Sequence, residues 1–149
     1  MKTDLAKTPL DICMAVPGLP FNGNTFDTQS LGGSESASYY MARALAKRGH
    51  RVSVFCNTSE RVRCADVDYI PLGTFRQYTA FSTHDVCVVQ RLPELFSGHC
   101  RARYSVLWCH DLAMGRQEGA VRGTAWNYDK LFVLSEFMRA QYQKVYNLP

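Results

Sequence analysis

Residues 32–56 read GGSESASYYMARALAKRGHRVSVFC, and this run decides the fold. Two glycines, Gly32 and Gly33, open it. Over residues 34–48, Ala37, Tyr40, Met41, Ala44 and Leu45 recur at the i, i+3, i+4, i+7, i+8 spacing of one helical face. Ser34 has the side chain of an N-cap, and Glu35 in the first turn suits the positive end of the helix dipole. Lys47 and Arg48 suit the negative end, and Gly49 suits the position just beyond the last turn. Val52, Val54, Phe55 and Cys56 then form the apolar run of a buried strand.

Working outward, strand and helix signals alternate. Leu-Asp-Ile-Cys-Met-Ala-Val at 10–16 is a short apolar strand that ends at Pro17-Gly18. A long loop rich in Gly, Asn, Thr and Ser joins it to Gly33. Downstream, residues 57–63 read as a polar loop and 67–71 as a short strand. Residues 74–83 support no single assignment. Val-Cys-Val-Val within 85–90 marks another buried strand, and 93–97 starts a short helix. Residues 104–109 form a strand ending at His110-Asp111, and 113–126 a glycine-containing loop or short helix. Residues 130–134 form a strand. Residues 135–146 form a helix with Ser135 as N-cap and an apolar stripe of Phe137, Met138, Gln141, Tyr142 and Val145.

Strands separated by helices imply a parallel sheet covered on both faces, joined by right-handed crossovers. The expected fold is therefore α/β: a Rossmann-like, mostly parallel sheet with helices on both faces. Its 149 residues fit one domain, and no internal repeat is visible.

Composition narrows the class. The chain is 46% hydrophobic and 20% charged, ordinary for a globular protein. The net charge of +4 is spread over small groups: Lys47, Arg48 and Arg51, then Arg61 and Arg63, then Arg101 and Arg103. These read as solvated faces; an anionic ligand or a peripheral membrane contact is the sharper alternative. Nucleic acid is not expected, because arginine–aromatic interleaving is missing. None of the six cysteines forms a C-x-x-C pair. They read as small buried hydrophobes in a reducing compartment. With no signal-type apolar segment and no stretch near the roughly 20 residues of a membrane span, a cytoplasmic location is expected.

Ligands of open α/β sheets bind beyond the carboxyl ends of the strands. That rule selects three turns on one rim. At Leu31-Gly32-Gly33-Ser34-Glu35 the glycines permit close backbone approach, and free N–H groups of the first helical turn suit a phosphate or a developing anion. At Cys109-His110-Asp111 the imidazole can bond a sugar hydroxyl or act as acid or base, with Asp111 to orient it. The third turn is Ser135-Glu136. A Cys109–His110 dyad is disfavoured, since successive strand side chains diverge. A zinc site from His99, Cys100, Cys109 and His110 lacks ligand spacing. His50 and His84 read as loop residues at strand entrances, without a role. Dinucleotide binding is also disfavoured. The loop from Gly18 to Gly33 is too long, and strand two ends at Cys56-Asn57-Thr58 without a carboxylate for a ribose. No Walker pattern occurs.

Three segments together resemble the amino-terminal domain of GT-B glycosyltransferases, in particular the retaining family 4 group. Gly32-Gly33-Ser34-Glu35, continued by Arg43 to Val52, is similar to that family's glycine loop, first helix and second strand. Leu107-Trp108-Cys109-His110-Asp111 resembles its strand ending in a sugar-facing histidine. Val133 to Met138, with Tyr146-Asn147-Leu148-Pro149, resembles the segment before the interdomain crossover. The resemblance implies a nucleotide-sugar donor, an acceptor held by the loop from Gly18 to Leu31, and His110 against the transferred sugar. Gly32, Gly33 and Ser34 would bind donor phosphate or acceptor, with Asp111, Ser135 and Glu136 on the same rim. The family is generally metal-independent, so no cofactor is expected.

The family's second domain, with its nucleotide pocket, basic phosphate clamp and paired glutamates, has no counterpart in these 149 residues. The end at Asn147-Leu148-Pro149 reads as one imposed on a longer architecture. Little transfer is expected from the chain alone; a separate donor-binding domain or chain would complete it. Two alternatives stand beside this one: a non-catalytic module binding sugar or nucleotide-sugar, and another Rossmann-like enzyme such as an epimerase or reductase. The missing dinucleotide fingerprint weighs against the last.

Overall fold

The computed structural model describes residues 8–96, 101–113, 118–124 and 127–148. Seven strands form one sheet in the order β3-β4-β2-β1-β5-β6-β7. In chain order they are β1 (Asp11–Val16), β2 (Arg51–Cys56), β3 (Val62–Cys64), β4 (Val67–Pro71), β5 (His84–Gln90), β6 (Ala102–Trp108) and β7 (Lys130–Phe132). Every neighbouring pair is parallel except β3 with β4. The helices are α1 (Gly33–Lys47), α2 (Phe75–Phe81), α3 (Glu118–Thr124) and α4 (Glu136–Tyr146). The fold is Rossmann-like α/β.

Alternation along β1 sets the two layers. Ile12, Met14 and Val16 point to one face and join Tyr39 and Ala42 of α1. Cys13 and Ala15 point to the other and join Phe75 of α2, Val121 of α3 and Met138, Tyr142 and Tyr146 of α4. Helices therefore cover both faces of the sheet, and β1 is buried on both sides. Burying each large apolar side chain in these layers contributes about 1.5–3 kcal/mol.

Several local expectations are corrected. Gly32, with extended backbone, is the N-cap of α1, and Ser34 lies inside its first turn. The buried stripe of α1 is Glu35, Ser38, Tyr39 and Ala42, whereas Tyr40 and Met41 are exposed. The helix is thus turned from the apolar face expected, because small Ser38 and Ala42 let it approach the sheet closely and Tyr39 stacks on Phe26 at 4.5 Å. The polar loop expected over 57–63 gives way at Val62 to β3, which pairs back on β4 through Ala65 and Asp66, both at positive φ. Two such residues make the tight hairpin turn.

Residues 75–81 of the ambiguous stretch are helix α2, and β7 stops at Phe132, short of 134. On α4 the buried residues are Met138, Tyr142 and Tyr146, while Phe137 is exposed. His84 opens β5 and is buried against Asp11, its Nδ1 2.9 Å from Oδ1, so it is no loop residue. Ser135 does cap α4, accepting the Met138 amide proton at 3.2 Å, and Asn147 ends that helix in the left-handed conformation. No described helix is long and apolar enough to cross a membrane.

Candidate functional site

The order of the sheet reverses at β1: β2 lies on one side and β5 on the other. The loops leaving β1 and β5 therefore diverge and open a crevice beyond their carboxyl ends. Val16, Cys56, Gln90 and Trp108 close their strands at this rim through the registers Val16↔Cys56 and Gln90↔Trp108. An open cleft of about 710 Å³ lies there, lined by Gly18, Gly33, Arg91, Trp108, His110 and Asp111 among others.

Gly33 and His110 line this same cleft. Gly33 has open space where a side chain would stand, so the α1 backbone is accessible there. Gly32 lines the cleft as well, and it also has a packing role inside the protein. A Cβ on Gly32, or on Gly18 at φ +143°, would overlap the carboxylate of Glu35. That carboxylate is buried, accepting from Leu19 N at 3.1 Å and from Ser34 Oγ at 3.0 Å. Gly18 and Gly32 thus make room for the protein's own anion at the positive end of α1. The wide loop from Gly18 to Gly33 is pinned to the helix by Glu35.

His110 follows β6, and its ring lies 4.7 Å from that of Trp108. The two are on one side of the strand and Cys109 is on the other. Cys109 packs in the opposite core layer, where burial pushes its thiol up to about 11. A thiol so protonated and turned away is no nucleophile for the cleft. His110 itself is held below the ordinary histidine value, chiefly by burial. Arg91 adds to that effect, while Asp111 and Glu35 oppose it.

Asp111 forms a two-pronged pair with Arg91, Nε to Oδ2 at 2.7 Å and Nη2 to Oδ1 at 3.4 Å. Its partner is therefore Arg91; the orienting contact to His110 comes from elsewhere. Gln90 Nε2 stands 2.8 Å from His110 Nε2. Arg91 adopts a left-handed backbone at φ +63°, an uncommon state for a residue with a side chain. Its guanidinium also reaches Ser34 Oγ at 3.5 Å, linking β5, β6 and α1 around the cleft.

The third expected turn is not part of this cleft. The lining reaches Leu134, but the Ser135 hydroxyl is used as a helix cap, and Glu136 is exposed and pairs with Arg139 at 3.5 Å. Gln90 and Arg91 went unread in the sequence, although the strand-end rule applies to β5 as it does to β1 and β6. Their signal was the change from Val-Cys-Val-Val to Gln-Arg at a strand terminus. His99 and Cys100 of the zinc set that lacks ligand spacing lie outside the described residues. Among the described residues no group of three or more His, Cys, Asp or Glu could hold a metal ion.

No protein-family model matches this chain, and no curated protein matches it.

Proposed function

We propose that this domain is the acceptor-side half of a two-domain, nucleotide-sugar-dependent glycosyltransferase of the GT-B, family 4-like type. The observation that supports this reading is the meeting of Gly33, at the mouth of α1, with His110, at the end of β6, in one cleft at the sheet's switch point. In this reading His110 bonds a hydroxyl of the transferred sugar. The exposed backbone at Gly33 bonds a second oxygen, and Trp108 offers an apolar surface to a sugar ring. Glu35, buried beside Gly32, disfavours a diphosphate at that spot. The domain then takes the hydroxyl-bearing acceptor and the sugar, and a donor-binding domain neutralises the departing diphosphate. Retaining transfer through an oxocarbenium-like state needs such placed donors around the leaving group. The thiols of Cys56, Cys64 and Cys109 support a reducing, cytoplasmic setting.

The test is a donor-hydrolysis and transfer assay on the isolated chain with labelled nucleotide-sugars and a panel of glycosides. The reading expects binding of sugar ligands with little turnover, and binding about tenfold weaker in His110→Ala, the loss of one good hydrogen bond. Robust turnover by the isolated chain would overturn the half-site assignment. Binding that ignores His110 would overturn the site.

A further inference from the structure

Gln90 is the last residue of β5 and is 1% exposed. Its amide nitrogen lies 2.9 Å from Ser34 O, 2.7 Å from Ser38 Oγ and 2.8 Å from His110 Nε2. The Ser34 carbonyl can only accept a hydrogen bond. The NH₂ end of Gln90 must therefore face it, because the reverse placement would press two carbonyl oxygens together. An amide nitrogen donates and does not accept. The amide carries two protons, one for Ser34 O and one shared between Ser38 Oγ and His110 Nε2; His110 Nε2, facing a nitrogen that cannot accept, presents a lone pair and not a proton.

We infer that Gln90 is a positioning residue that holds His110 as the neutral imidazole protonated on Nδ1, leaving Nδ1–H as the ring's donor to a ligand oxygen. Among the described residues His110 has no hydrogen-bond partner other than Gln90, so Nδ1–H meets no acceptor among them. The groups around the ring are Asp111 next to it, Arg91 from the end of β5 and Glu35 from α1. Asp111 and Glu35 favour a charged ring, and Arg91 and burial disfavour it, with burial the largest influence. Protonating Nε2 would also need the Gln90 amide to turn over and abandon Ser34 O. The arrangement thus makes His110 an uncharged donor and denies it the part of proton acceptor through Nε2. The ligand it suits presents an oxygen lone pair at that point, as a hydroxyl or a phosphoryl group does. The identity of that ligand rests on the glycosyltransferase reading; the tautomer does not, since it belongs to the free protein.

The experiment is long-range ¹H–¹⁵N NMR of the whole chain with ¹⁵N-labelled histidine, His110 being assigned by the signal lost in His110→Gln. The expected result is a protonated Nδ1 and bare Nε2, opposite to the preference of a solvated histidine side chain. In Gln90→Met the donor is gone, and the proton should redistribute toward Nε2. In Gln90→Glu a carboxylate can accept from Nε2–H, so the proton should move there and the titration midpoint should rise. A purely structural glutamine would leave the tautomer unmoved in both variants. A wild-type ring protonated on Nε2 overturns the inference even if neither variant folds. An Nδ1 proton in a protein that binds no sugar would leave the inference standing and remove the proposed function.

Discussion

Glu35 Oε1 accepts the backbone proton of Leu19 at 3.1 Å, tying the long loop after β1 to the first turn of α1. The carboxylate occupies the space that the Gly32 and Gly18 side chains would need. The two adjacent glycines at the helix mouth consequently do different work, and substitution separates them.

Gly32→Ala should destabilise the domain by about 1–3 kcal/mol, because the new methyl displaces a buried carboxylate from its bonds to Leu19 N and Ser34 Oγ. Gly33→Ala should be neutral or stabilising by up to about 1 kcal/mol, since its methyl enters open space on a helix. Urea unfolding followed by circular dichroism measures both. Equal losses would contradict the packing described for Glu35.

Glu35→Gln should loosen the loop without unfolding the domain. The amide can still accept from Leu19 N but loses the charge that complements the α1 dipole, a loss of about 0.3–1 kcal/mol. Amide exchange at Leu19 should accelerate relative to exchange at the core strands. Unchanged protection would remove Glu35 from its role as the loop's anchor.

Acid should unfold the domain in part through Asp129. Its Oδ2 accepts from Ser105 N at 2.7 Å and from Ser105 Oγ at 2.8 Å, which lowers its pKa from the ordinary 3.8. A depressed carboxylate contributes stability above its unfolded value. That contribution begins to fall away near 3.8 and is lost as the pH drops through the lower folded value. Asp129→Asn should flatten this part of the acid profile in a thermal-melt series. A profile unaltered below pH 4 would refute the contribution.

The buried cysteines should be silent toward alkylation in the native state. Burial raises Cys56 to about 12 and Cys109 to about 11, so neither carries appreciable thiolate at neutral pH. Iodoacetamide at pH 7 should modify both only after denaturant is added, as peptide mass mapping would report. Native-state labelling of Cys109 would place it in the cleft after all.

Much of the fold was legible because its strands are buried on both faces and read as apolar runs. The run Val52 to Cys56 and the run Val86 to Val89 are examples. The rim that unites Gly33 with His110 followed from strand direction alone. What escaped reading was polar where it should have been apolar. Glu35 and Ser38 lie on the buried stripe of α1, each satisfied by a tertiary partner that no periodicity encodes. The hairpin of β3 and β4 turns at Ala65-Asp66 without the glycine that usually marks such a turn. Gln90 and Arg91 acquire meaning only when β5 lands beside β1 and β6, a neighbour relation set by the long crossover from β4.

The most direct test of the cleft is an NMR titration of the isolated chain with simple glycosides and nucleotide-sugars. The Gly33 amide and the His110 ring signals should shift together along one saturable curve; in His110→Ala the Gly33 curve should move to about tenfold higher ligand concentration, and in Gly33→Leu the His110 ring should no longer respond. Shifts confined to another surface, or Gly33 and His110 responding to different ligands, would contradict a single sugar site at this edge of the sheet.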